Sequence, residues 1–231
     1  MFNITEINNK NNISGNLKIR PGRTENDEEE VSNKDRTDDK SPVDKILYSG
    51  MELVEKLIPI LKKSLCEIVP DNPEYNRKTT SHEIHLQDVK ADGNCLFRAF
   101  LTGLRYNITK VNIGEDPDYL KFNCVIILLK QIILLYYDNL KKINKERFDS
   151  ITLEIVSEHN DINCWKGNLI RNGYWGGHAE LILISWIFKC NIKFYGKYKT
   201  GNFKENYIDK DNLSSIYLYY KNNHYKVVLK L

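Results

Sequence analysis

Residues Asp92-Gly93-Asn94-Cys95-Leu96-Phe97-Arg98-Ala99 require a sharp turn that opens directly into a helix, and any fold of this chain has to be built around that junction. Asp, Gly and Asn in succession favour a tight turn, because Gly reaches positive φ without penalty and Asn tolerates it. Beyond them, Leu96, Phe97, Phe100, Leu101 and Leu104 recur at the spacing of one helical face. Cys95 therefore stands at a helix start. There the positive end of the helix dipole and the unpaired backbone N–H groups favour a negative atom, which predicts a thiol pKa below the free value of ~8.5. The same N–H groups are suited to holding an oxyanion.

The remaining pattern predicts helices early and strands late. Residues 46–69 have helical spacing, broken or kinked at Pro59, and end at the turn signal of residues 70–73. Residues 85–89 form a short extended lead into the turn before Cys95. After a turn-rich loop at 112–118, helices are expected over 119–144 and 146–158, and a helix apolar on all sides, hence buried, over 181–188. Runs of β-branched and aromatic residues at 191–195, 216–220 and 225–231 read as strands. This order indicates an α/β (α+β) domain, a small central sheet flanked by helices. Residues 25–45 hold nine acids against four bases and little apolar periodicity. Such a segment cannot offset its ordering entropy. The organisation expected is a disordered acidic tail at 1–45, a helical extension at 46–79 that packs on the main domain, and that domain at 80–231.

Composition narrows the function classes. With 41% hydrophobic residues among 231, the chain can bury a real core. A net charge of +3, without a basic stripe, argues against nucleic acid as partner. The most apolar window, 125–137, is interrupted by Lys130 and Gln131 and is too short to span a bilayer, so no membrane is expected. The N-terminus lacks a basic start followed by an apolar stretch, so no secretory signal is read there. Five cysteines, at 66, 95, 124, 164 and 190, form neither a CxxC pair nor a disulfide framework, which points to a reducing compartment, cytosol or nucleus. No metal ligand set and no organic cofactor are implied, and a monomer is expected.

The octet around Cys95 resembles the nucleophile motif of the ovarian-tumour (OTU) cysteine proteases, most of which are deubiquitinases. Tyr174-Trp175-Gly176-Gly177-His178-Ala179-Glu180-Leu181 is similar to that family's Trp-Gly-Gly-x-x-Glu-Leu segment, and Asn223-His224-Tyr225 to its histidine motif. The three occur in the family's order and cover about residues 80–231. The resemblance implies an OTU-like fold and cleavage of isopeptide bonds at the C-terminus of ubiquitin or a ubiquitin-like modifier, with ubiquitin, polyubiquitin chains or ubiquitinated proteins as partners.

A cysteine protease needs a nucleophilic sulfur, a histidine to move protons, a group to orient the imidazole, and oxyanion donors. The resemblance makes Cys95 the nucleophile and His224 the general base and acid. Gly93 and Asn94 shape the oxyanion turn, and Trp175, Gly176 and Gly177 form one wall of a channel for the substrate's C-terminal tail. Those three read equally well as a turn packed before the buried helix, which Glu180 opens as a cap. His178 falls at a variable position of the family segment, and His82, His85 and His159 read as surface residues. Cys66, Cys124, Cys164 and Cys190 read as packing residues. One position departs from the family. Many members carry Asn or Asp two residues after the histidine, on the same strand face, and here that position is Lys226. An ammonium cannot accept the imidazole N–H. Some members are credited with the Asp three residues before the nucleophile, so the resemblance gives the orienting role to Asp92. The other reading is a catalytically impaired OTU-like module that binds ubiquitin without cleaving it.

Overall fold

The helix that Cys95 opens, α2 (Cys95–Thr109), is buried residue after residue from Cys95 to Arg105. A helix so enclosed must be covered on every side, and the chain supplies a sheet on one face and helices on the others. The computed structural model of the protein describes residues 42–69, 84–111, 113–114, 118–198, 201–207 and 214–230. Almost all of the proposed acidic tail and the turn at 70–73 lie outside the described residues.

The sheet has five strands: β1 (Ile84–Gln87), β2 (Asn191–Tyr198), β3 (Gly201–Tyr207), β4 (Ser215–Lys221) and β5 (His224–Lys230). Their order is β1-β5-β4-β2-β3. β2 and β4 run parallel and the other neighbours antiparallel. β4 turns into β5 through Asn222 and Asn223, at φ 54° and 58°. Two successive left-handed residues make the tight hairpin turn that matches strand twist, and Asn is among the few side chains that accept it. The turn delivers His224 as the first residue of β5, opposite Lys221.

Helix α1 (Pro42–Cys66) begins with proline, whose missing N–H costs nothing at a first helical position. It starts ahead of residue 46. It also continues through Pro59 instead of breaking there, with Val54, Leu61 and Leu65 buried on either side of the proline. Packing thus outweighs the lost backbone hydrogen bond. Arg105 of α2 ties the end of α1 in place: Nε donates to Leu65 O at 3.2 Å, Nη2 to Ile68 O at 2.9 Å, and Nη1 to Val111 O at 3.2 Å.

Helix α3 (Tyr119–Ile143) is capped by Asp118, which accepts from Lys121 N at 3.2 Å. Asn144 ends α3, and its side chain accepts from Arg147 N at 2.9 Å to start α4 (Lys145–His159). With 25 residues, α3 is long and apolar enough by length and composition to cross a bilayer, contrary to the shortness read from the 125–137 window. Its Phe122, Val125, Leu129, Ile132, Ile133 and Leu140 are nevertheless buried in the shared core. Helix α5 (Ile162–Leu169) contributes Trp165 and Leu169 to that core, and α6 (His178–Phe188) is the buried apolar helix expected from the sequence. Neither α5 nor β3 was anticipated. Eight residues are too few to show a helical period, and Gly201-Asn202-Phe203-Lys204-Glu205-Asn206-Tyr207 has no β-branched run.

Replacing Arg105 by Met removes three hydrogen bonds from a charged donor and orphans carbonyls at the end of α1. The expected loss is about 2–4 kcal/mol of unfolding free energy, read as a lower urea midpoint. An unchanged midpoint would show that α1 is held by its apolar face alone.

Candidate active site

The turn before Cys95 is fixed by backbone geometry first. Gly93 has φ +81°. A Cβ built there would fall on the Gly173 carbonyl, 2.6 Å from its carbon, so the turn and the loop before α6 meet backbone to backbone. Asp92 Oδ1 accepts from Asn94 N at 3.0 Å and closes the turn locally. Asn94 sits at the N-cap of α2, yet its side chain makes no cap bond to that helix. Its Nδ2 donates to Asn172 Oδ1 and its Oδ1 accepts from Lys130 Nζ, both at 2.8 Å. The first-turn N–H groups beside Cys95 are thereby left free of a capping side chain.

Arg98, one turn into α2 and fully buried, reaches back to Asp92: Nη2 donates to Oδ2 at 2.6 Å and Nε to Oδ2 at 3.1 Å. Nη2 also donates to Asn123 Oδ1 at 2.6 Å, and Tyr119 and Phe122 present their rings to the guanidinium. Burial works against the Asp92 carboxylate, but Arg98 and the Asn94 N–H outweigh it and hold the group below the usual carboxylate range. Asp92 is therefore committed to the turn and to Arg98. The expectation that it orients His224 is not met.

The carboxylate on His224 is that of Asp88. His224 Nε2 lies 2.6 Å from Asp88 Oδ1, and Lys226 Nζ pairs with Asp88 Oδ2. The pairing of β1 with β5 explains the arrangement. Gln87 stands opposite Val227, so the register carried one residue further puts Asp88 opposite Lys226, on the face that Lys226 shares with His224. The position two after the histidine holds a cation, and the acid comes from the residue that directly follows the neighbouring strand β1. Burial raises the Asp88 pKa, and hydrogen bonds from Lys226 and His224 more than reverse this, so the carboxylate stays ionised at neutral pH.

Cys95 is buried, and its sulfur is approached by the backbone N–H groups of Tyr225, Leu96 and Cys95 itself. Tyr225 follows His224, so the start of β5 lies against the start of α2. Burial pushes the thiol up; those N–H groups pull it down without compensating, and Asp92 adds to the rise. The low thiol pKa expected from the helix start is thus overturned by desolvation. Cys190 is buried too, which pushes its thiol up to about 12, whereas Cys124 and Cys164 are exposed and Cys66 is intermediate.

Gly176 runs over the first turn of α2: a Cβ there would sit 3.1 Å from Leu96 and 3.0 Å from Phe97. Trp175 beside it is 61% exposed. The segment is held from below by Glu180, which is fully buried. Glu180 Oε2 accepts from Gly177 N at 2.6 Å, and Oε1 accepts from Trp165 Nε1 at 2.6 Å and Tyr174 Oη at 3.2 Å. The cap read from the sequence is present and reaches further than expected. His159 is not a free surface residue, since its Nε2 lies 3.0 Å from the Tyr174 hydroxyl. His178 Nδ1 is 3.9 Å from Glu154. Asp88, Lys130 and Asn172 were missed by sequence reasoning; the first becomes visible only once β1 is registered against β5.

Over residues 90–225, more than half its length and including both Cys95 and His224, the chain matches the family described as OTU-like cysteine protease. The chain belongs to the OTU-like cysteine protease family. It is similar to OVARIAN TUMOR DOMAIN-containing deubiquitinating enzyme 3 of Arabidopsis thaliana, with 26% identity over 131 residues, 54% of this chain and 51% of that protein. This OTU-like chain thus spans about half the length of that curated relative. Among solved structures it is similar to an OTU deubiquitinase from Wolbachia pipientis wMel bound to ubiquitin, at 16% identity over 64% of this chain and 96% of that one, with TM-score 0.43. The viral OTU domain protease from Dera Ghazi Khan virus matches at 14% identity over 64% and 81%, with TM-score 0.42.

Because Gly93 meets Gly173 through backbone, Gly93→Ala should displace the turn, lowering the melting temperature by several degrees and exposing Cys95 to thiol reagents. Asp92→Asn should behave as a stability variant. Its lowered pKa means that Asp92 contributes stability above the unfolded value of ~3.9, lost as pH falls through the lower folded value, so the gap between variant and parent should close on acidification. A gap independent of pH between 3 and 7 would contradict the Asp92–Arg98 assignment.

Proposed function

We propose that this chain is a thiol isopeptidase that releases ubiquitin, or a ubiquitin-like modifier, from the amines to which it is joined. The observation that carries the proposal is the Asp88–His224 contact on the strand start that approaches Cys95. It supplies the acceptor that Lys226 cannot, in a family of cysteine proteases. The name of the Arabidopsis relative supports ubiquitin as the modifier. The binding-only reading rested on Lys226, and it loses its ground when Lys226 is spent on Asp88.

The roles follow from the atoms. Asp88 accepts the Nε2–H of His224 and fixes the tautomer that leaves Nδ1 to take a proton. The buried Cys95 rests as a neutral thiol. As Sγ bonds to the carbonyl carbon of the modifier's C-terminal glycine, its proton passes to His224, and Asp88 stabilises the imidazolium. The oxyanion is met by the uncapped N–H groups at the start of α2 and by the backbone of the turn. When the C–N bond breaks, His224 gives its proton to the departing lysine amine. Water then attacks the thioester while His224 accepts a proton from it; as the C–S bond breaks, His224 returns that proton to Sγ, regenerating the thiol and releasing the carboxylic acid, which ionises. Trp175, Gly176 and Gly177 line the approach, with the small residues against α2 leaving room for a narrow tail. A reducing compartment, cytosol or nucleus, suits a free nucleophilic thiol.

Ubiquitin carrying a C-terminal electrophile should form one adduct, mapped by mass spectrometry to Cys95; attachment to Cys124 or Cys164 with Cys95 unmodified refutes the mechanism. Cys95→Ser should abolish turnover without loss of fold. Asp88→Asn should lower kcat by about tenfold or more, with KM little changed and a displaced limb in the pH–rate profile. Full activity in Asp88→Asn would remove Asp88 from the mechanism.

A further inference from the structure

Lys130 is a cation that none of these steps uses. It lies in α3 among Ile126, Leu129 and Ile133, and is 2% exposed. Its Nζ donates to Asn94 Oδ1 at 2.8 Å and to Arg171 O at 2.9 Å, with the Phe97 ring centroid 4.8 Å away and that of Tyr174 5.8 Å away. Glu180 and Asp92 act on it through space, but their oxygens are engaged by other donors. Burial pushes the ammonium down to about 8. A charge that the folded state disfavours is a poor choice for stability, since an apolar side chain would suit this layer of α3.

What the ammonium supplies is connection. Asn94 precedes the nucleophile, and its carbonyl accepts from Arg98 N at 2.9 Å in the opening turn of α2. Its side-chain amide is held at both ends, by Lys130 through the oxygen and by Asn172 through the nitrogen. Lys130 simultaneously holds the carbonyl of Arg171, two residues before the glycine that abuts Gly93. One buried group thus joins the nucleophile turn to the segment leading into Trp175. We propose that Lys130 is a positioning residue for acyl transfer: by locking Asn94, it fixes the backbone N–H groups that receive the oxyanion beside Cys95. The proposal rests on the isopeptidase reading for its catalytic consequence and on the contacts alone for its structural one.

Lys130→Met in the full chain is compared with the unaltered protein in three measurements: hydrolysis of a ubiquitin C-terminal amide, alkylation of Cys95 by iodoacetamide, and backbone hydrogen exchange. The expected result is kcat lower by about tenfold or more with KM within about threefold. Alkylation needs no oxyanion donor, so its rate should change by less than kcat does. Exchange should accelerate at residues 92–97 and 171–174 and not elsewhere. Lys130→Gln, which keeps a neutral donor, should recover part of kcat. Unchanged exchange at both segments overturns the proposal, as does kcat within about twofold in both variants. Exchange that accelerates throughout, with kcat following the folded fraction, also overturns it, because Lys130 would then be core support. If the unaltered chain does not hydrolyse the amide, the isopeptidase reading fails, and the exchange data still decide whether Lys130 locks the turn. Should Lys130→Met not fold, Lys130→Gln and Asn172→Ala carry the same comparisons, with acceleration in the same two segments expected.

Discussion

A guanidinium withdrawn almost entirely from water holds the junction on which everything else rests. Arg98 would cost several kcal/mol to bury unpaired. Here it meets Asp92 through two nitrogens, Asn123 through one, and two aromatic rings. The pair binds the residue that begins the turn to the helix that follows it, and Asn123 extends the contact to α3. With the turn closed, α2 can enter the core at its first residue. The sheet and the surrounding helices are then arranged about a helix that has no solvent side along most of its length.

What the sequence revealed and what it hid divide along physical lines. The start of α2, the long α3 and the buried α6 were readable because local turn chemistry and a 3.6-residue period act within a few residues of each other. The partner of His224 was not readable, since choosing between Asp88 and Asp92 depends on strand register, a pairing between segments well over a hundred residues apart. Asp92 is nearer in sequence to Cys95, but Arg98 claims it. The thiol of Cys95 was misjudged for a related reason: a helix start announces itself locally, whereas the depth at which the fold sets it does not. Lys130 looked like an interruption in an apolar window and proved to be a buried donor.

The Trp-Gly-Gly segment shows how a structural and a functional reading can share the same residues. Glu180 gathers Gly177 N, the indole of Trp165 and the hydroxyl of Tyr174. It thereby ties α5, α6 and the preceding loop into one rigid unit. That unit presses Gly176 onto Leu96 and Phe97 and leaves Trp175 outward. The turn packed before the buried helix and the wall proposed beside Cys95 are, in this arrangement, the same object.

Placing the acid just past the end of β1 instead of on the strand of the histidine separates two properties that are usually joined. β1 is four residues long and forms one edge of the sheet. Edge pairings open at far lower free energy than a domain unfolds. Cys95 is buried at the start of α2, whereas the imidazole would lose its carboxylate wherever β1 parted from β5. Loss of that one pairing would take the carboxylate from the imidazole while leaving the rest of the domain folded, with the Cys95 thiol in place.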